Sequence, residues 1–270
     1  MDTIKSLSDL HKFAGEVDEE WTKEWWRPWW RGQDCYHWSR ASARWRLLPG
    51  VYRTEEDRIN EVKNHNEFRL QAKSRWTACP GGDNNVGWLC LAQHQGLPTR
   101  LLDWPVSHLV AIYFAVRDRN LWERDGVLWA LNPVRLNAES GMRMLLPGES
   151  PIREVAWPAF SESPVLDKRV LAFMPQHIDM RMTNQHTVFT IHGNDAMALD
   201  EQPDKDAFLR RFRIPAKQKT DIEWELRLSG VLEHILFPDL DGLARHLRFR
   251  TRSSTANGDR EASPGGGELS

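Results

Sequence analysis

The sequence predicts an α+β fold, a single domain with a mixed or antiparallel sheet flanked by helices. Short β-like runs alternate with helix-like runs, without the regular βαβ rhythm that a parallel sheet demands. The 270 residues are 40% hydrophobic, enough to fill one large core. Fourteen tryptophans make that core aromatic, and because each indole N–H wants a partner, some of the rings are expected to line a cleft.

The elements follow in order. Ser6–Leu10 reads as a capped helix start, with the helix running to about Gly15. Trp25–Gln33 is bulky and aromatic but interrupted by Pro28, so a strand is expected after the proline. Leu47–Gly50 turns the chain. Glu55–Trp76 has no internal Pro or Gly, and Ile59, Val62, Phe68, Ala72 and Trp76 recur at roughly helical spacing. Cys79–Asn85 is a loop by composition, Trp88–Ala92 opens a helix, and Gly96 is placed to stop it in a left-handed cap. Thr99–Asp103 is expected as a strand, with Pro105 in the first turn of a helix Val106–Arg119.

Asp125-Gly126 turns into a strand Val127–Leu131, and Asn137–Pro164 is expected to be irregular. Val170–Met174, His186–Ile191 and Ala207–Ile214 read as strands, the last with Phe208, Arg210, Phe212 and Ile214 alternating. Asp221–Leu228 and Leu240–Phe249 read as helices. The organisation is thus an N-terminal helix (1–20), a main domain (21–250) and a disordered Ser/Gly-rich tail (251–270).

Composition excludes several function classes. Thirty-six basic and 38 acidic residues give a net charge of −2, which argues against a general nucleic-acid coat but leaves room for a local basic groove. Arg40–Arg46 and Arg210–Arg213 interleave arginine with aromatics, as solvated faces or as such a groove. Three cysteines without CxxC spacing, and no basic-then-apolar leader, lead us to expect a reduced cytoplasmic protein. No apolar run approaches the ~20 residues of a membrane span, so no membrane partner is expected. No HExxH, Cys/His cluster or clustered acid set suggests a metal, and GxSxG is absent.

The informative stretches are Trp30-Arg31-Gly32-Gln33 and the run from Gln93 to Trp104. Each sets arginines, amides and an acid among tryptophans and leucines. A guanidinium there needs a partner or a ligand, and suits phosphate or carboxylate through two parallel bonds. Arg31 either pairs with Asp103 or Asp34 to pin a sheet, or holds a ligand that approaches over Gly32. Asp103 either caps the following helix or, with Thr99, holds ribose hydroxyls. His94 is a last-turn histidine or a general base. Gln93, Gln95 and Gln185 are surface amides or readers of a nicotinamide or base edge. His186 and His192 share a strand face as ordinary sheet residues, and the acids of Phe237–Gly242 cap the final helix.

These residues resemble the FRG domain family, named for an aromatic-Arg-Gly motif matched here by Trp30-Arg31-Gly32. Gln93-His94 to Asp103-Trp104, the helix Ala111–Ala115, the set Asp179, Arg181, Gln185, Val188 and Phe189, and Phe237–Leu243 extend the resemblance from about Trp25 to Phe249. The ordered set of Arg-Gly, a hydroxyl residue and a late Gln is also similar to ADP-ribosyltransferase folds with a split sheet. That similarity implies NAD as substrate. Arg31 would grip its phosphate or adenosine ribose, Thr99 or Asp103 the nicotinamide side, and Gln185 the last position. Trp30 or Trp104 would stack on the nicotinamide ring, with Gly32, Gln33, His94 and Arg100 completing the binding set.

The departure is that Gln185 carries no charge for an oxocarbenium-like ribose, so Asp103 or Asp179 must supply it. The implied function is transfer to an intracellular nucleic acid or protein, as a toxin or antiviral effector with a neutralising partner. The alternative is a non-catalytic module binding a nucleotide, nucleic acid or protein.

Overall fold

The computed structural model describes residues 1–21, 27–35, 47–142, 150–162, 165–175, 185–245 and 247. Six strands among them form two antiparallel sheets: β1 (Trp29–Gln33), β3 (Gly126–Leu131) and β6 (Leu209–Ile214) in the order β1-β3-β6, and β2 (Leu101–Pro105), β4 (Val170–Phe173) and β5 (Thr187–His192) in the order β2-β5-β4. The strands carrying Arg31 and Asp103 therefore belong to different sheets, not to one as their shared surroundings suggest. Each is an edge strand, and the two edges lie beside one another.

The helices used below are α1 (Leu7–Trp21), α2 (Glu55–Ile59), α3 (Glu61–Ala72), α4 (Asn85–His94), α5 (His108–Val116), α6 (Pro133–Glu139), α7 (Ser150–Ala156) and α8 (Lys219–Leu228). Alternation along the strands sorts the core into layers. Trp30, Leu128, Ala130, Phe212 and Ile214 face α1, α5 and α8. Trp29, Val127, Trp129 and Leu131 face Leu102, Trp104, Val170, Ala172 and Val188 between the two sheets. Leu101, Leu171, Phe173, Phe189 and Ile191 face α4 and α7. The order of layers is helices, sheet, sheet, helices.

Several elements depart from expectation for local reasons. Helix α1 runs through Gly15 to Trp21, because Leu7, Leu10, Ala14, Val17 and Trp21 bury one continuous face. The glycine's helix cost of about 1 kcal/mol is outweighed by that burial. The long helix expected over 55–76 breaks at Asn60 (φ −93°, ψ 5°), and α3 ends at Ala72. Strand β2 starts at Leu101, leaving Thr99 and Arg100 before it, and Pro105 closes the strand instead of opening a helix. Ser107, whose side chain accepts from the Val110 N–H, caps α5, so Asp103 does not.

The segment expected to be irregular, Asn137–Pro164, holds the end of α6, a helix capped by Asn132 with Pro133 at its first position, and the whole of α7. His186 lies outside β5 with a positive φ of 45° and shares no strand face with His192. Gly96 does take the left-handed cap, at φ +86°. Asp239 caps the last helical residues, its Oδ1 accepting from the Gly242 N–H at 2.6 Å. No helix of the described residues is long and apolar enough to cross a membrane. Arg40–Arg46, Asp179, Arg181 and the 251–270 segment lie outside the described residues.

The outer edge of β4 is closed by a side chain. Buried Asn137 of α6 donates from Nδ2 to the Ala172 carbonyl at 3.0 Å and accepts from the Ala172 N–H at 2.8 Å, as a neighbouring strand would.

Candidate functional site

A cleft of about 380 Å³ opens at the seam between β1 and β2. Its lining includes Arg31, Gln33, Asp34, Gln93, His94 and Asp103, with Arg53 and Arg117 adding positive charge. Clefts of this size take small ligands and cofactors.

Arg31 is half-buried on β1, and its Nη1 donates to the backbone carbonyl of Asp103 at 2.7 Å. Among the described residues that is its one hydrogen bond, and its Nε is buried without a partner. Burial pulls the guanidinium below its ordinary pKa, while the Asp103 charge opposes the shift. Arginine stays cationic through such shifts, so a strong positive donor stands in the cleft wall with donor capacity left over.

Asp103 lies on the β2 face away from the inter-sheet layer, opposite Phe189. Its Oδ2 accepts from Gln93 Nε2 at 2.8 Å, and Gln93 Oε1 accepts in turn from Thr99 Oγ1 at 2.6 Å. Thr99 itself is fully buried. It therefore meets no ligand directly; it fixes the Gln93 amide, which fixes the carboxylate. His94, in the last turn of α4, sits on the same wall.

On the far rim, burial raises the pKa of Asp34, and Asp118 adds to the rise against Arg117 and Lys219. Lys219, fully buried, donates from Nζ to the carbonyls of Asp34 and Leu121, pinning the exit of β1. Arg117 lies over the rings of Phe114 (5.0 Å) and Phe237 (5.7 Å).

The structure thus brings Arg31, Gly32, Gln33, His94, Asp103 and Gln185 to one cleft. It separates the others from it. Arg100 is wholly buried, its Nε and Nη2 on the two Glu61 oxygens (2.8 and 2.6 Å) and its Nη1 on the Val155 carbonyl (2.9 Å), so no donor face is turned to a ligand. Trp104 is fully buried and donates to Thr190 Oγ1 at 3.1 Å; Trp30 packs against Phe212 and His108. Neither ring is free to stack on a ligand.

Gly32 is required for another reason than ligand approach: a Cβ there would stand 1.8 Å from the Ala111 carbonyl oxygen of α5. Gln185 reaches the cleft from the residues before β5, not from the strand itself. Its Nε2 donates to the Leu236 carbonyl at 2.9 Å.

Sequence reasoning missed Arg53, Arg117 and Thr187 as lining residues, and offered Asp34 only as a partner for Arg31 and Phe114 only within the resembling helix. Asp34 directly follows the Arg-Gly-Gln run, and Arg117 follows the apolar helix of the second motif; position beside the motifs was the only available signal. Among the described residues no group of three or more His, Cys, Asp or Glu is placed to hold a metal.

No curated protein and no solved structure matches the chain. The family model that does match is that of the FRG domain, over residues 27–123, a span that carries β1, β2, α4 and α5 and with them Arg31, Gln93 and Asp103. Over that part of its length, well under half of the chain, the protein is similar to the FRG domain.

Proposed function

We propose that the cleft binds NAD and supports ADP-ribosyltransferase-like chemistry, with nucleic acid or protein of the cytoplasm as acceptor. The observation that carries this reading is Arg31: a half-buried guanidinium whose one hydrogen bond among the described residues goes to a backbone carbonyl, in a cleft that also holds an oriented carboxylate. Arg31 grips the pyrophosphate by charge-assisted bonds. The bond from ribose C1′ to the nicotinamide nitrogen breaks, and its electron pair neutralises the pyridinium. The positive charge left on the ribose is stabilised by the Asp103 carboxylate, in the role Gln185 cannot fill. An acceptor O–H or N–H, or water, then bonds to C1′ and gives its proton to Asp103 or solvent. Thr99 and Gln93 act as positioning residues for that carboxylate. A toxin or antiviral effector held in check by a neutralising partner fits such an activity.

The test is calorimetric titration of the protein with NAD, alongside nicotinamide release in cell extract, for wild type and Arg31→Ala. A charge-assisted bond contributes about 1.5–3 kcal/mol, so affinity and turnover should fall ~10–100-fold. Wild-type protein that binds no NAD, or a variant that binds it equally, overturns the reading. Binding without turnover selects the alternative, a non-catalytic nucleotide-binding module. The observation favouring that alternative is the uncharged Gln185, tied to the Leu236 carbonyl.

A further inference from the structure

Gln33 and Gln185 both line the cleft and are nearly buried, at 7% and 8% exposure. A glutamine amide carries an acceptor at Oε1 and two donors at Nε2, and either end can ordinarily be turned inward. Here each has a partner that allows one orientation. The Trp129 indole N–H can only donate, and it gives its proton to Gln33 Oε1 at 2.9 Å. The Leu236 carbonyl can only accept, and it takes the Gln185 Nε2 proton at 2.9 Å. Turning either amide would set donor against donor or oxygen against oxygen.

The opposite ends remain. Gln33 Nε2 and Gln185 Oε1 have no partner among the described residues, and neither is sealed from solvent as the buried orphan Arg31 Nε is. The cleft therefore offers one fixed donor group and one fixed acceptor.

We propose that Gln33 and Gln185 read an amide edge on the ligand: Gln33 Nε2 donates to its carbonyl and Gln185 Oε1 accepts from its N–H. A primary carboxamide has that chemistry, and so does the imide or amide edge of a nucleobase. The inference rests on the reading that Arg31 holds a phosphate in this cleft. It also gives a reason for an amide at position 185. A carboxylate there would place an oxygen against the Leu236 carbonyl, so a residue that can donate belongs at that position.

Four probes with one phosphate each test it by calorimetry on the full chain: nicotinamide mononucleotide, nicotinic acid mononucleotide, uridine monophosphate and ribose 5-phosphate. The first two differ only in whether the carboxamide nitrogen is replaced by a charged oxygen. A site built to hydrogen-bond an N–H rejects the analogue lacking it, so the carboxamide should bind at least about tenfold tighter despite its lower negative charge. Gln185→Met should abolish that preference while leaving ribose 5-phosphate affinity as it was. Gln33→Leu serves as the second variant should Gln185→Met fail to fold. If uridine monophosphate shows the larger gain over ribose 5-phosphate, the edge read is a nucleobase, and the proposal stands with that source. Equal binding of the two nicotinate probes with no gain for uridine monophosphate, or a preference that survives both variants, overturns it. Failure of ribose 5-phosphate to bind, together with no effect of Arg31→Ala on any probe, removes the phosphate reading itself and this inference with it.

Discussion

Replacing Arg100 by methionine should unfold this protein before it touches ligand binding. Arg100 and Glu61 face each other inside the core through two bonds of 2.8 and 2.6 Å, and a third bond runs from Arg100 to the Val155 carbonyl. The side chains are 1% and 7% exposed, so water cannot replace the missing guanidinium. Breaking a buried pair by removing one partner costs about 3–5 kcal/mol, because the remaining charge is stranded. Spread over a chain of this size, that is a fall in melting temperature on the order of 10 °C. Urea unfolding at neutral pH reads it directly. The double variant Glu61→Leu/Arg100→Met removes both charges, and should recover most of the loss, since a buried pair replaced by apolar side chains is often near neutral. NAD affinity of whatever single variant remains folded should match wild type. An Arg100→Met protein with unchanged urea midpoint and weakened NAD binding would refute this reasoning and put Arg100 back in the site.

Two further outcomes follow from the same geometry. Gly32→Ala sets a methyl group 1.8 Å from the backbone oxygen of Ala111, which α5 cannot yield without moving off the sheet; a loss of about 1–3 kcal/mol or more is expected by thermal unfolding. His192 is fully buried, and burial first, then Arg31 and Arg100, pushes its pKa down to about 3. The unfolded chain takes up that proton below about 6.5 while the native chain does not, so stability falls as pH drops from there towards 3, by up to ~1.4 kcal/mol per pH unit. Urea midpoints between pH 7 and 4 should slope less in His192→Gln than in wild type; equal slopes would remove His192 as the cause.

Local chemistry made part of this structure legible and distance hid the rest. Pro28 lacks the N–H a ladder needs, so the start of β1 could be read from it, and the turn at Gly96 followed from a residue free to take positive φ. The pairing of Arg31 with Asp103 was readable as a relation between two motifs, although the contact is with the backbone carbonyl and not the carboxylate. Arg100 was misread because its partner Glu61 lies 39 residues away, on a helix face that periodicity describes as ordinary. Thr99 was misplaced by two residues of strand register, which turned a buried hydroxyl into an apparent ligand contact. Trp104 deceived in the same way: its indole N–H finds a partner inside the core, on Thr190 Oγ1, and so needs no cleft.

The small sheet β2-β5-β4 is stoppered at both ends by side chains of different character. At β4 the neutral amide of Asn137 fills both backbone valences of Ala172 and has no reason to let go. At β2 the stopper is Arg31, a cation holding one main-chain oxygen of Asp103 with capacity to spare. An anion entering the cleft competes with that oxygen for the same guanidinium. The seam between the two sheets and the grip on a ligand thus draw on one set of protons, so an occupied cleft should register as a change in how firmly β1 is fastened to β2.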